Sequence, residues 1–191
     1  IERAMEDMKG APSILEGFVD FTREISVIVV RDQNGNAVTY DPAENVHREG
    51  ILRTSTLPAQ SDTKVLDEAS HTAIKIADAL GFVGAMGVEF FENANGGLLV
   101  NEIAPRVHNS GHWTEAACLT SQFENHIRAV AGLPVASTQR HSNCVMHNII
   151  GDDMNDLEAF QALQNSRLHL YGKRDTRAGR KMGHHTQLLT K

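Results

Sequence analysis

The sequence lacks the features that mark several broad classes of protein. It has no apolar run that approaches the roughly 20 residues of a membrane-spanning helix, so no membrane partner is expected. It has no run of basic residues, and its formal net charge is −6 with a pI of about 5.9, which argues against a nucleic-acid partner. The N-terminal residues do not combine a charged stretch with an apolar one, as a secretory leader does, so a cytoplasmic location is expected.

Cysteine is also scarce, because Cys118 and Cys144 are the only two in the chain. They are far apart and have no CxxC spacing, so neither a disulfide framework nor a thiolate zinc site is predicted. Both cysteines are expected to be reduced packing residues. The single tryptophan, Trp113, is expected to be a packing residue as well.

The length of 191 residues and the apolar content of 41% are enough for one good core or two small ones. No internal repeat and no low-complexity tract is present. The first residue is not Met, and it lies inside a predicted helix over Ile1–Lys9. We therefore expect the chain to be a fragment of a longer protein.

The first predicted unit after the N-terminal helix is a β-hairpin. Glu24–Val30 is rich in β-branched residues and predicts a buried strand, which a turn at Asn34-Gly35 leads back into Ala37–Tyr40. Residues 41–58 contain prolines and many polar residues, and their apolar residues show little periodicity. They predict irregular backbone with one short strand at Ile51–Thr54.

A long helix and a second hairpin follow. Ser61 is the predicted N-cap of a helix over Asp62–Leu80, whose apolar residues recur at helical spacing. The second hairpin is predicted over Ala85–Phe91 and Leu98–Ile103. The remaining predicted elements are a helix over Thr114–Ala131, strands over Cys144–Ile150 and Leu168–Tyr171, and a short helix over Asn155–Gln164.

The second hairpin predicts that two glutamates face each other. Asn95-Gly96 fits the central positions of a type I′ turn, so that Ala94 and Gly97 form the flanking pair. Counting five residues outwards along each strand reaches Glu89 and Glu102, which become direct cross-strand neighbours. Like charges in that position destabilise a sheet unless they are compensated, and a hard divalent cation such as Mg²⁺ is the simplest compensation.

Spacing alone leaves other interpretations of these residues open. A general acid/base pair would look similar, and both carboxylates could lie on a solvated face of the sheet. Glu89 could instead pair with Arg106 or Lys75. The basic residues between positions 173 and 181 would, taken alone, form a solvated loop.

Four stretches of the chain resemble one enzyme family. The most specific is residues 101–114, which read Asn-Glu-Ile-Ala-Pro-Arg-Val-His-Asn-Ser-Gly-His-Trp-Thr, and the others are residues 16–21 with Glu24, residues 45–53 and residues 179–184. In these stretches the sequence resembles N5-carboxyaminoimidazole ribonucleotide synthase, the ATPase subunit of phosphoribosylaminoimidazole carboxylase and a member of the ATP-grasp superfamily. The resemblance extends over nearly the whole chain.

The resemblance implies an α+β fold. The second subdomain of an ATP-grasp domain, an antiparallel sheet with helices, is expected within residues 1–135, and a small C-terminal α/β domain within residues 136–191. The first ATP-grasp subdomain and an N-terminal domain would then lie upstream of Ile1, so the isolated chain is expected to be inactive. Family membership also implies a homodimer.

The resemblance further implies two groups of residues that bind ATP and magnesium. It assigns Glu16, Gly17, Phe18 and Val19 to the segment that binds adenine, and Glu24 to the ribose hydroxyls. His47 and Asn101 would lie near the nucleotide. Glu89 and Glu102 match the two glutamates that bind magnesium, which agrees with the hairpin register deduced above, and Glu102 would lie beside the nucleotide as well.

The same resemblance assigns residues to the second substrate. Arg106, His108 and Asn109 match positions that contact a ribonucleotide, and Arg106 is also the expected catalytic residue. Lys173 and Arg180 match cations that bind the phosphate of that substrate. Arginine suits such a role because it offers fixed, always-charged donors, and lysine supplies a compact point charge.

The implied reaction is the carboxylation of 5-aminoimidazole ribonucleotide. ATP phosphorylates bicarbonate to carboxyphosphate, and the exocyclic amine of the ribonucleotide takes up the carboxyl group, releasing ADP and phosphate. Two alternatives remain. One is another ATP-grasp ligase, such as a glycinamide ribonucleotide-type synthetase or a biotin-carboxylase-like enzyme, although residues 106–112 argue against it. The other is a non-catalytic fragment that retains a partial nucleotide or substrate site.

Overall fold

The computed structural model describes residues 2–189, and nine β-strands form one continuous antiparallel sheet within them. The spatial order is β6-β5-β1-β3-β4-β7-β9-β8, and β2 pairs with β1 beside β3. The strands are β1 (Arg23–Arg31), β2 (Ala37–Thr39), β3 (Ala43–Arg48), β4 (Ile51–Leu57), β5 (Gly84–Glu92), β6 (Leu98–Ala104), β7 (Asn143–Ile150), β8 (Ser166–Leu170) and β9 (Lys181–Leu189).

Five α-helices accompany this sheet in the described part of the chain. They are α1 (Glu2–Asp7), α2 (Thr63–Ala79), α3 (Thr114–Ala117), α4 (Gln122–Val130) and α5 (Leu157–Ala162), and short 3₁₀ turns occur at Asn109–Gly111 and Gly151–Asp156. None of the helices between residues 2 and 189 is long and apolar enough to cross a membrane. The predicted α+β class with an antiparallel sheet is confirmed.

The alternation of side chains in β1 separates the two faces of the sheet. Ile25, Val27 and Val29 pack on one face, here named the helix face, against the buried alanines of α2. Ile28 and Val30 point to the opposite face, where they pack with Trp113 and Ala129. That second face becomes polar towards the start of β1, where Glu24 and Ser26 replace the apolar residues. We name it the site face.

The core confirms three of the packing predictions. Trp113 is almost completely buried, and its ring meets that of Tyr40 edge-on at a centroid distance of 6.2 Å. Cys118 and Cys144 are unpaired and buried in the same core. Burial raises the pKa of each thiol to about 12, so neither is a thiolate at neutral pH.

The structure corrects the prediction for residues 41–58. These residues are not mainly irregular, because β3 and β4 form a hairpin that occupies most of the segment. Glu49 and Gly50 both have positive φ, 53° and 71°, between the paired residues Arg48 and Ile51, which is the backbone of a two-residue type I′ turn. The prediction failed because a glutamate at the first central position is not the residue that sequence reasoning expects there.

Two further elements differ from prediction. The helix predicted over Thr114–Ala131 is two helices, because Cys118 adopts an extended backbone (φ −122°, ψ 156°) and ends α3. Ser121 then caps α4, its hydroxyl accepting a hydrogen bond from the Glu124 amide at 3.2 Å. The long final strand, β9, was not predicted, since its polar first half resembles a loop.

The predicted boundary between residues 1–135 and 136–191 crosses the sheet. β4 pairs with β7 from Thr54↔His147 to Leu57↔Cys144, so hydrogen bonding continues between the two segments. The division into two domains stays a prediction. Ile1, the first residue of the predicted N-terminal helix, lies outside the described residues.

Helix α2 provides a test of local sequence reasoning. Its N-cap is Asp62 rather than the predicted Ser61, and the Asp62 carboxylate accepts a hydrogen bond from the Lys64 amide at 2.8 Å. Asp62→Ala should lower the free energy of unfolding by about 1 kcal/mol, because that amide loses its partner. Ser61→Ala should stay within about 0.5 kcal/mol of wild type, since the buried Ser61 hydroxyl has no hydrogen-bond partner. Urea unfolding of both variants decides between the two caps; a larger loss in Ser61→Ala would contradict this assignment.

Candidate active site

A polar cavity of about 200 Å³ lies on the site face. Residues from β3, β4, β5, β6, β9 and the loop after β6 surround it: His47, Gly50, Leu52, Glu89, Glu102, Arg106, His108, Asn109 and Lys181. The structure thus brings six residues predicted from the sequence into one cavity. Their roles stay predictions.

Glu89 and Glu102 are direct cross-strand partners, as the hairpin count predicted, but the turn that leads to this register is different. The Gly96 amide donates to the Asn93 carbonyl and the Asn93 amide to the Gly97 carbonyl, each at 3.0 Å, so the turn has three residues rather than two. The longer turn moves the pairing of β5 with β6 by one residue relative to the prediction.

A bulge in β6 then restores the register. Phe90 pairs with Val100 and Glu89 with Glu102, which leaves Asn101 without a partner strand residue. The sequence count reached the correct pair because two one-residue errors, at the turn and at the bulge, cancel each other.

The two carboxylates carry little compensation from the protein. Within the described residues, neither forms an ion pair with a Lys or Arg side chain at 4.0 Å or less. Burial raises the pKa of Glu89, and the neighbouring Glu102 and Glu24 raise it further, while His47 and Lys181 oppose them. The two like charges therefore lie side by side with only partial compensation from His47 and Lys181.

Glu24 and His47 form a pair at the edge of the same cavity. The Glu24 Oε2 and His47 Nδ1 atoms lie 3.0 Å apart, and both side chains are about one-fifth exposed. The contact arises because Glu24 on β1 pairs with Asn45 on β3, and the alternation of β3 brings His47 to the same face. The two residues are therefore positioned together at the cavity.

His108 lies directly on the sheet because residue 87 is glycine. A Cβ atom at Gly87 would come within 2.7 Å of the His108 Cβ, so any other residue there would displace the ring. Burial lowers the pKa of His108 to about 4, with Arg106 and Lys181 acting in the same direction. At neutral pH its ring is uncharged, and Nδ1 lies 2.9 Å from the Ser110 hydroxyl.

The buried side chain of Gln122 holds the loop that carries these residues. Its Oε1 accepts from the His108 amide at 2.9 Å, and its Nε2 donates to the His108 carbonyl at 2.7 Å. The backbone amide of Gln122 donates to Thr114 Oγ1, and that hydroxyl in turn donates to the Gly111 carbonyl. Gln122 thus holds both ends of residues 108–114, through its buried side chain at His108 and through its backbone amide at Thr114.

Asn109 and Arg106 differ in their burial and in their hydrogen bonds to the rest of the protein. The Asn109 Nδ2 atom is buried and has no hydrogen-bond partner, which leaves a donor without a protein acceptor at the cavity. Arg106 is exposed, and its Nη1 donates to the Val107 carbonyl at 3.0 Å. Both side chains keep donors for a ligand.

An apolar groove of about 690 Å³ adjoins the hairpin of β5 and β6. Its walls are Glu16, Gly17, Phe18, Val19, Phe21, Phe91, Leu99, Val100 and Asn101. The Phe21 and Phe91 rings stack at a centroid distance of 4.4 Å, whereas Phe18 is 97% exposed. The structure therefore brings the predicted adenine segment next to Asn101, the residue before Glu102.

Lys173 and Arg180 do not line the polar cavity. Both lie in the loop between β8 and β9, where Lys173 Nζ donates to the Lys181 carbonyl and Arg180 Nη1 to the Asp175 carbonyl at 3.0 Å. The lysine that does line the cavity is Lys181, which sequence reasoning left within the basic loop. Burial lowers its pKa while Glu89 opposes that effect. Its position at the start of β9 could have been found only by predicting that strand.

Comparison with known proteins defines the class to which this fold and site belong. The ATP-grasp domain family matches residues 1–123, and the phosphoribosylaminoimidazole carboxylase C-terminal domain family matches residues 144–191. The chain therefore belongs to the ATP-grasp family.

Within that family, the chain is similar to N5-carboxyaminoimidazole ribonucleotide synthases. The chain is 58% identical over 178 residues to the synthase of Brucella melitensis, covering 93% of this chain and 49% of that protein. It is 45% identical over 187 residues to the synthase of Bacillus subtilis, covering 97% of this chain and 49% of that protein. The chain thus spans about half the length of the curated relatives it matches.

Solved structures of the same enzymes share the fold. An ADP complex of an N5-carboxyaminoimidazole ribonucleotide synthetase matches with a TM-score of 0.94 and 42% identity, over 98% of this chain and 50% of that one. The synthase of Aspergillus clavatus in complex with ADP and 5-aminoimidazole ribonucleotide matches with a TM-score of 0.94 and 33% identity, over 98% and 52%. The predicted family and fold are confirmed.

Proposed function

We propose that a full-length protein containing this chain uses ATP to carboxylate 5-aminoimidazole ribonucleotide with bicarbonate, giving N5-carboxyaminoimidazole ribonucleotide, ADP and phosphate. The observation that carries the proposal is the direct opposition of Glu89 and Glu102 in a cavity with His108, Asn109 and Lys181. Relatives that are 58% and 45% identical to this chain are named for the product of that reaction. This chain supplies part of the machinery.

Magnesium is the proposed partner of the two glutamates. The residues fit it, because two directly opposed carboxylates on one face offer the oxygen ligands that Mg²⁺ prefers. When bound, the ion would neutralise charge that develops on nucleotide phosphates. The protein's own task is to hold both carboxylates on one rigid hairpin.

The apolar groove is the proposed adenine site. The exposed Phe18 ring and the stacked pair of Phe21 and Phe91 offer flat apolar surface to a base. Glu24, held by His47, would accept hydrogen bonds from the ribose hydroxyls. The groove meets the polar cavity at Asn101 and Glu102, so a nucleotide lying across that boundary would bring its phosphates to the glutamates.

The loop of residues 105–112 is the proposed site for the ribonucleotide. Neutral His108 can donate or accept a hydrogen bond without adding charge, and Asn109 has a free donor. Arg106 and Lys181 would orient the anionic reactants in the cavity. Lys173 and Arg180, on the neighbouring loop, are proposed to bind the substrate phosphate. The homodimer and the cytoplasmic location stay predictions.

The test compares the 191-residue chain with a full-length protein that contains it. We expect ADP release that requires both bicarbonate and 5-aminoimidazole ribonucleotide in the longer protein, and none in the chain alone. Release with another amine acceptor in place of the ribonucleotide would favour a different ATP-grasp ligase. Inactivity of both proteins would favour a non-catalytic binding fragment.

Glu89→Gln should stabilise the magnesium-free chain at neutral pH. The pKa of Glu89 is raised in the folded state, so its contribution to stability is fully present below the unfolded pKa and is lost as pH rises through the folded pKa. Glutamine cannot ionise, so the variant does not lose this stability as the pH rises. We expect a higher thermal midpoint for the variant at pH 7 and a difference that vanishes towards pH 4.

Added magnesium supplies the control for this experiment. It should raise the midpoint of the wild-type chain and leave Glu89→Gln nearly unchanged, because one of the two ligands has lost its charge. A variant that is less stable than wild type at pH 7 without magnesium would argue that Glu89 is already compensated.

A further inference from the structure

A second cluster of metal-binding side chains lies outside the polar cavity. Glu115 on α3, His169 on β8 and His184 on β9 each offer one ligand atom, and these atoms all lie within 4.8 Å of one another. Glu115 Oε2 is 3.0 Å from His169 Nδ1 and 3.8 Å from His184 Nε2. The register of the β8–β9 pair brings the histidines together, because His169 is the direct partner of His184.

The donor set selects the kind of metal. Two imidazole nitrogens and one carboxylate oxygen are the ligands of zinc, whereas magnesium and calcium prefer oxygen alone. Metal–ligand distances of about 2.0–2.1 Å in a tetrahedron require ligand atoms roughly 3.4 Å apart. The two separations from Glu115, 3.0 and 3.8 Å, lie on either side of that value, and the nitrogens of His169 and His184 lie within 4.8 Å of each other, so side-chain movements would close the site.

The surroundings orient the ligands and leave one side open. His184 is almost fully buried, and its Nδ1 lies 2.9 Å from the Tyr171 hydroxyl. When Nδ1 donates to that oxygen, Nε2 keeps its lone pair on the side of Glu115, an arrangement typical of metal-bound histidine. The side chain of His169 is 45% exposed, so water can reach the fourth position.

A hydrogen-bonded pair of Glu115 and His169 would account for only part of this geometry. His184 Nε2 is too far from Glu115 for a hydrogen bond, yet it faces the same carboxylate oxygen. The His184 ring also stacks on His112 at 4.7 Å, which fixes its plane. Side chains from α3, β8 and β9 therefore face one another, and a hydrogen bond between Glu115 and His169 alone does not explain the position of His184.

We propose that Glu115, His169 and His184 bind one zinc ion, with water as the fourth ligand. The ion would fasten the β8–β9 hairpin to α3. Lys181 begins β9 and the loop of residues 105–112 precedes α3, so the zinc would hold two walls of the polar cavity in a fixed relation. The site does not depend on the proposed carboxylation.

The test is metal binding by the 191-residue chain after chelator treatment. Calorimetric titration with zinc chloride should show one equivalent bound, with millimolar magnesium present to compete for Glu89 and Glu102. Cobalt(II) in place of zinc should give the intense visible absorption of a tetrahedral site. His169→Ala and Glu115→Gln should each weaken zinc binding at least about 100-fold, whereas exposed His71→Ala on α2 should not change it.

A rescue variant separates ligation from structure. His169→Cys replaces one zinc ligand with another and should restore binding close to that of wild type. Circular dichroism of each variant confirms that it is folded. The proposal is overturned if the chain binds no stoichiometric zinc, or if the affinity is the same in wild type, His169→Ala and Glu115→Gln.

Discussion

Glu102→Ala is expected to lower the rate of bicarbonate-dependent ADP release by about 10²–10³-fold or more in a full-length protein containing this chain. The reason is that Glu102 supplies one of two opposed carboxylates on the site face, and alanine leaves the proposed magnesium site with Glu89 alone. The protein should stay folded, because Glu102 is exposed and its side chain makes no hydrogen bond or ion pair within residues 2–189. Steady-state rates at saturating ATP across a magnesium titration measure the effect.

The control for this prediction is Glu124→Ala on α4. Glu124 is also an exposed glutamate, and it loses only an ion pair with Arg128 at 3.2 Å, a contact that contributes about 0.5 kcal/mol or less. Its rate should match that of wild type. Magnesium-dependent turnover at the wild-type rate in Glu102→Ala would remove Glu102 from the metal site and with it the main support for the proposed function.

Gln122→Leu should destabilise the chain by about 2–4 kcal/mol. Leucine fills much of the same space but leaves the buried amide and carbonyl groups of His108 without their partners, and each such group costs about 1–3 kcal/mol. The loss should appear in urea unfolding as a lower midpoint with an unchanged slope. Because the loop of residues 105–112 would loosen, a full-length protein with this change should also lose activity.

Gln139→Leu is the matched control, since Gln139 is an exposed glutamine in the segment before β7. It should stay within about 0.5 kcal/mol of wild type. Equal stability of Gln122→Leu and wild type would mean that water replaces the side-chain amide, and that Gln122 does not position His108.

Patterns within a few residues of each other could be predicted from the sequence. The β-branched residues of Glu24–Val30 predicted β1, and the apolar spacing before Gly81 predicted α2, because a buried face repeats locally along the chain. Turn types were predicted less well. The Asn-Gly pairs at residues 34–35 and 95–96 both lie in three-residue turns, and the side chain of the residue before each turn, Asp32 or Asn93, accepts hydrogen bonds from two backbone amides.

The parts of the site that could not be predicted depend on distant contacts. Gln122 and His108 are separated by 14 residues, and nothing in the local pattern indicates that the glutamine side chain faces the loop. Lys181 reaches the cavity only because β9 pairs with β7. The six predicted residues that do line the cavity came from resemblance to a family rather than from local chemistry, apart from Glu89 and Glu102.

The bulge at Asn101 lies between two regular stretches of the β5–β6 pair. Phe90 pairs with Val100 and Glu89 with Glu102, so deletion of Asn101 would join these pairs in one regular ladder and leave both carboxylates on the site face. A change of length within residues 94–96 would alter only an exposed tip. Natural length variation in this hairpin should therefore be confined to Asn101 and the tip. An engineer who wishes to insert a reporter sequence should choose the tip, because an insertion there leaves the pairing of Glu89 with Glu102 unchanged.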